Sequence, residues 1–142
     1  MLAGEMALAI AAAFTGAAIY VNVAEQPARL KLAADAMLAE FQPSYKRGAV
    51  MQASLAVIGA AFGAFAFYNS SDWLWLLGAA LLIANLPYTL IVIMPTNNRL
   101  MAADPALADE ETRRIIMHWG RLHAVRSALG AAATVTFLLA AI

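Results

Sequence analysis

The chain has 142 residues, carries nine Lys and Arg against nine Asp and Glu for a net charge of zero, and is 63% hydrophobic. A water-soluble domain of this length needs more polar surface than 13% charged residues provide, and a neutral chain offers no basic face for nucleic acid. The absence of cysteine excludes disulfides, a thiolate nucleophile and a soft metal site.

Four apolar runs, Leu2 to Val23, Ala49 to Tyr68, Trp73 to Met94 and Leu122 to Ile142, each come near the roughly 20 residues a helix needs to cross a bilayer. They predict one all-α domain over residues 1–142, a four-transmembrane-helix bundle. The first run has no basic region ahead of it and holds Glu5 where a signal peptide would be positive, so it is expected to stay as a span. At its inner end Asn22 and Glu25 are spaced i, i+3, and Arg29 follows Glu25 by four. Glu25 either forms a surface ion pair with Arg29 or, if the helix runs intact to Pro27, meets Arg126 or His123 across the bundle.

The first loop contains Arg29, Lys31, Lys46 and Arg47. Pro27 suits a helix start, Leu30, Ala33, Met37 and Phe41 recur at helical spacing, and Pro43 is expected to stop the segment, giving a short amphipathic helix. The second span carries Gln52 and the Gly59-Ala60-Ala61-Phe62-Gly63 stretch, which permits close helix approach in lipid. The second loop, Asn69 to Asp72, has no basic residue. Tyr68, Trp73 and Trp75 are expected at the outer interface, and Tyr20, Tyr45, Tyr88 and Trp119 at the inner one.

In the third span Asn85 lies 12 residues past Trp73, roughly 18 Å along the helix, and Pro87 frees the carbonyl of Ile83, so a kink is predicted beside it. The third loop holds Arg99, Arg113, Arg114 and Arg121; either Asp104 caps a helix opening at Pro105, or Asp109-Glu110-Glu111 begins a helix continuous with span four. Because Lys and Arg concentrate in the first and third loops, both loops are expected in the cytoplasm with both termini outside, the location being a bacterial inner membrane.

Polar residues in or beside the spans gather toward the cytoplasmic half: Asn22, Glu25, Gln52, Asn85, Asn97, Asn98, His123 and Arg126. An ionisable group at membrane depth costs at least about 2.5–3.5 kcal/mol on insertion scales, so such a cluster marks a candidate site. Trp119, His123 and Arg126, spaced i, i+4 and i+7, put an aromatic plane, an imidazole and a guanidinium on one helix face. That face suits base, oxyanion and stacking chemistry; the structural alternative is an Arg126 that snorkels to headgroups beside an interfacial Trp119. His118 lies off this face, and without a third ligand no metal site is expected.

The stretch Met94-Pro95-Thr96-Asn97-Asn98-Arg99-Leu100, followed by Trp119-Gly120-Arg121-Leu122-His123-Ala124-Val125-Arg126, resembles the anthrone-oxygenase-like family of small four-span membrane proteins, a domain of unknown function in most bacterial members. That family shows Pro-x-Asn-Asn-x-Leu and then Trp-x-x-x-(Asn or His)-x-x-Arg, and Glu25-Gln26-Pro27-Ala28 is similar to its turn after span one. The resemblance implies oxidation of an anthrone-like polycyclic substrate with molecular oxygen as co-substrate and no metal or flavin. In that reading His123 is the base, Arg126 with Asn97 or Asn98 holds the enolate oxygen, Trp119 stacks on the rings, and Asn85, Glu25, Asn22 and Gln52 line the pocket. His123 stands where the family often has Asn. The competing reading is a non-enzymatic membrane subunit or scaffold, or a binder of small hydrophobic ligands, whose Gly and Ala faces pair with a second copy or a larger complex in the bilayer. A cluster enclosing a pocket favours enzyme or binder; a dry, fully paired cluster favours scaffold.

Overall fold

The computed structural model describes residues 1–142. Four helices are each long and apolar enough to span a membrane: α1 (Leu2–Arg29), α2 (Ala34–Ser70), α3 (Trp73–Ala102) and α4 (Glu110–Ala141). Leu90, Ile91, Val57, Phe65 and Leu139 stand exposed on the outside of the bundle, where only lipid covers such side chains without cost. The protein is therefore an integral membrane protein built as an all-helical bundle. α1 packs on α2 and α4, and α3 packs on the same two, so the helices form a ring in chain order.

The helices are longer than the apolar runs, and this corrects the loop expectations. Pro43 does not end a helix; α2 passes straight through it. Proline removes one donor and leaves the carbonyl of Ala39 free, but both residues face outward, where water satisfies that carbonyl. Meanwhile Met37, Leu38 and Phe41 are fully buried and hold the preceding turns in place. Pro27 likewise lies within α1 rather than opening a new element. In the last connection both expected caps occur. Asp104 accepts from the Ala106 N–H over a 3-10 turn, Pro105–Leu107. Asp109 and Thr112 form a reciprocal capping box at the start of α4.

Two helices carry a widened π turn. In α1 it covers Val21–Glu25, just before Pro27; in α3 it covers Thr89–Ile93, just before Pro95. The extra residue relieves the clash between a proline ring and the preceding turn and re-aims nearby side chains. α3 is also interrupted for one residue at Ala84, two residues after Leu82 and beside Asn85 and Pro87, where the sequence predicts a kink.

Two apolar clusters fill the bundle. At the end bearing the termini, Ala3, Ala7, Ala11 and Ala18 of α1 let the helices close around Phe14 and Phe137. Phe137 sits so near α3 that a Cβ on Gly78 would lie 2.5 Å from its ring. At the opposite end Met37, Leu38, Phe41, Ile93, Leu100, Ile116 and Trp119 pack together. On α2, α3 and α4 the polar residues fall between each helix's contributions to the two clusters, Gln52 on α2, Asn85 on α3, His123 and Arg126 on α4, and Asn22 follows Ala18, the last residue that α1 gives to the first cluster. Four aromatics expected at membrane interfaces are drawn inward instead. Trp75 is buried against Phe137, Trp119 joins the second cluster, and Tyr45 and Tyr88 pack on its edge, whereas Tyr20, Tyr68 and Trp73 remain exposed.

Candidate active site

Trp119, His123 and Arg126 all point into the bundle, as their shared helix face requires. Opposite them, Asn22 sits in the π turn of α1. Its Nδ2 donates to the Gly120 carbonyl at 2.9 Å, which turns its Oδ1 toward α4. That oxygen accepts from Ser127 Oγ at 2.8 Å and lies 3.0 Å from His123 Nδ1. An amide oxygen only accepts, so this contact places the imidazole proton on Nδ1. Nε2 is left with a free lone pair and no protein partner, and His123 lines a cleft.

Arg126 has no hydrogen bond and no carboxylate partner, and its Nε is buried without any acceptor. Its guanidinium lies 5.8 Å from the Phe14 ring centre, a cation–π contact. Gln52 Oε1 and Asn85 Oδ1 are buried and unpartnered in the same region. Asn85 Nδ2 does bond the Leu82 carbonyl at 3.1 Å.

Two clefts meet at this point. A small one, about 50 Å³, lies among α1, α2 and α4 and touches Gln52, Trp119 and His123. A larger one, about 180 Å³, lies between α2 and α3 and is lined by Ala53, Ala56, Asn85, Leu86 and the exposed Leu90. Tyr45, Ala49 and Arg126 border both. Arg126 therefore faces a polar recess on one side and a lipid-accessible apolar cleft on the other.

Other expected site residues fall elsewhere. Glu25 meets neither Arg126 nor His123: it pairs with Arg29, which also binds Glu40 and Gln26, while Ser44 donates to Glu25. This is a buried network and not a surface pair, because the Arg29 side chain is 2% exposed and its guanidinium lies 5.1 Å from the Phe41 ring centre. Four groups engage that cation, so Glu25 borders the small cleft as a satisfied wall. Asn98 is exposed on the outer side of α3 and reaches neither cleft, since one step along a helix turns a side chain by about 100° from its neighbour. Asn97 points inward but borders no cleft; its Oδ1 accepts from Trp119 Nε1 at 2.8 Å and its Nδ2 donates to Tyr45 Oη at 2.7 Å. Trp119 keeps one edge on the small cleft, with its ring packed against His123 at 5.0 Å and edge-on to Phe41 at 5.0 Å. No three His, Asp or Glu side chains converge to hold a metal ion.

Sequence reading did not single out Tyr45 or Ser127 as site residues. Phe41, Tyr45 and Gln52 share one face of α2 at i, i+4 and i+11, a pattern visible only once the helix is allowed to continue through Pro43.

The family model described as anthrone oxygenase matches residues 41–136, which include Tyr45, Gln52, Asn85, Asn97, Trp119, His123 and Arg126. The chain belongs to the anthrone oxygenase family. Among curated relatives, the anthrone oxygenase tpcL of Aspergillus fumigatus is 34% identical over 123 residues, covering 80% of this chain and 76% of that protein. An anthrone oxygenase of Claviceps purpurea is 35% identical over 97 residues, covering 60% of this chain and 56% of that protein. No solved structure matches the chain. Family membership and the four apolar helices together make this an oxygenase-like membrane protein.

Proposed function

We propose that the protein oxidises an anthrone-type tricyclic substrate to the corresponding quinone, with molecular oxygen as co-substrate and without metal or flavin. The observation that carries this reading is the buried Arg126, a cation with no protein partner placed where a lipid-accessible cleft meets the recess of His123. A guanidinium left unpaired in an apolar bundle is ready to hold an anion that forms during a reaction.

The chemistry follows from the substrate. The ring methylene opposite an anthrone carbonyl is weakly acidic, because loss of its proton makes the central ring aromatic and moves the charge to oxygen. His123 Nε2 takes that proton, while Asn22 holds the ring in the tautomer that leaves Nε2 free. Arg126 sits beside the oxyanion. The electron-rich anion passes one electron to dioxygen, and the two radicals combine to form a carbon–oxygen bond, giving a hydroperoxide when the proton returns. Loss of the second methylene proton with cleavage of the O–O bond releases water and leaves a carbonyl. One anthrone and one dioxygen thus become one quinone and one water.

The larger cleft supports the substrate class. It is apolar, opens between α2 and α3 at Leu90, and leads to Arg126, so a flat hydrophobic molecule can enter it from the bilayer. The unpartnered atoms of Gln52, Asn85 and Arg126 weigh against a scaffold, in which such groups would pair with one another. Turnover under labelled dioxygen tests the reading: the quinone from purified protein in nanodiscs should gain one labelled oxygen atom above the protein-free rate. Unlabelled quinone, or labelled quinone formed no faster than in empty nanodiscs, contradicts it.

A further inference from the structure

We propose that Tyr45 is a catalytic hydrogen-bond donor, whose hydroxyl proton is directed by the Trp119 and Asn97 side chains into the cleft to meet, beside Arg126, the oxygen on which the substrate's charge develops. Hydrogen-bond polarity fixes this direction. The indole Nε1 of Trp119 only donates, so the Asn97 atom 2.8 Å from it is the carbonyl oxygen. The amide nitrogen then faces Tyr45, and at 2.7 Å it donates to the phenolic oxygen. Tyr45 is thereby an acceptor toward Asn97, and its own proton reaches no protein acceptor. Its side chain borders both clefts together with Arg126, and that proton is free to point into them.

Two features strengthen the assignment. Asn97 and Trp119 are buried, and Phe41 stacks on the Tyr45 ring at 5.8 Å with planes 5° apart, so the phenol is positioned before any ligand arrives. A hydroxyl that accepts a hydrogen bond also becomes a stronger donor in a low-dielectric site. Tyr45 keeps its proton throughout, so the proton and electron balance of the oxidation is unchanged. Asn97 acts as a positioning residue that reaches the substrate only through Tyr45.

This inference rests on the oxygenase reading for the identity of the substrate, and an anaerobic measurement separates the two. Under argon, anthrone is added to saturating full-length protein in nanodiscs, and its anion is followed by visible absorbance across pH. Wild type should lower the apparent pKa of the bound anthrone relative to empty nanodiscs. Tyr45→Phe, which keeps the ring packed on Phe41, should forfeit about one to two pH units of that shift. Asn97→Asp should forfeit a similar amount, because the introduced carboxylate accepts from both Trp119 and Tyr45 and draws the phenolic proton away from the cleft. In aerobic assays Tyr45→Phe should lower kcat by about 100-fold with KM little changed, the usual effect of losing one oxyanion donor. Wild-type helical content by circular dichroism is the folding control for both variants. A full wild-type shift in Tyr45→Phe overturns the role of Tyr45 while leaving the oxygenase reading intact. A shift that depends on Tyr45 without aerobic turnover supports Tyr45 and overturns the oxygenase. No shift in wild type overturns both.

Discussion

Arg126 and Arg29 show two ways of placing a guanidinium inside one bundle. Arg29 is surrounded by Glu25, Glu40, Gln26 and Ser44, and its charge is neutralised where it lies. Arg126 has only the face of Phe14, so the fold carries the cost of its desolvation without return. Residues kept for reaction chemistry commonly reduce stability in this way. Arg126→Leu should therefore raise stability against denaturing detergent by about 1–3 kcal/mol while abolishing turnover. A destabilised variant would reveal a structural partner for the guanidinium and remove the main support for an oxyanion site. The sequence made Arg126, His123 and Trp119 visible because helical spacing alone puts them on one face. Tyr45 was hidden because residues 45, 97 and 119 come from three helices, and only their packing creates the hydrogen-bond chain.

At the level of elements, proline and glycine carry opposite lessons. Pro43 reads as a stop signal, yet Phe41, Met37 and Leu38 bury enough surface to carry α2 through it, so packing overrides local preference. Pro87 reads as a kink, and α3 is interrupted close to it at Ala84, where the proline has no N–H for the Ile83 carbonyl and its ring crowds the preceding turn. Gly78 is tied to Phe137: Gly78→Val should place side-chain atoms inside the space of that ring and destabilise the bundle by about 1–3 kcal/mol, measurable by detergent unfolding. The start of α4 responds to pH instead. The hydrogen bond from the Thr112 N–H, chief among several, holds the Asp109 carboxyl below the ordinary aspartate value. Since the folded state lowers this pKa, the contribution is complete above the ordinary value and disappears as pH falls through the lowered one. Asp109→Ala should thus lower Tm at neutral pH and leave it unchanged in strong acid. A difference that persists in strong acid would mean that charge is not what the cap supplies.

For the whole molecule, the charge pattern was the most legible feature. Eight of nine Lys and Arg flank the α1–α2 and α3–α4 connections, and four apolar stretches between them became the four helices. Helix lengths were underestimated because hydropathy marks the lipid-buried part only, and α2 continues well past it. The same pattern yields a topology that can be measured in a chain without native cysteine. In intact cells a membrane-impermeant maleimide should label Ser71→Cys and spare Ala106→Cys; the reverse would invert the orientation. What the fold provides for function is a lipid-accessible cleft ending at an unpaired cation, with a free imidazole nitrogen in the recess on the other side of that cation. Oxygen consumption by purified, metal-depleted protein with an anthrone, compared among wild type, His123→Ala and Arg126→Gln, tests this account most directly. Wild type should consume one dioxygen per quinone formed, and both variants should lose at least about 100-fold in rate. Variants that retain the wild-type rate, or a wild type no faster than empty nanodiscs, would contradict it.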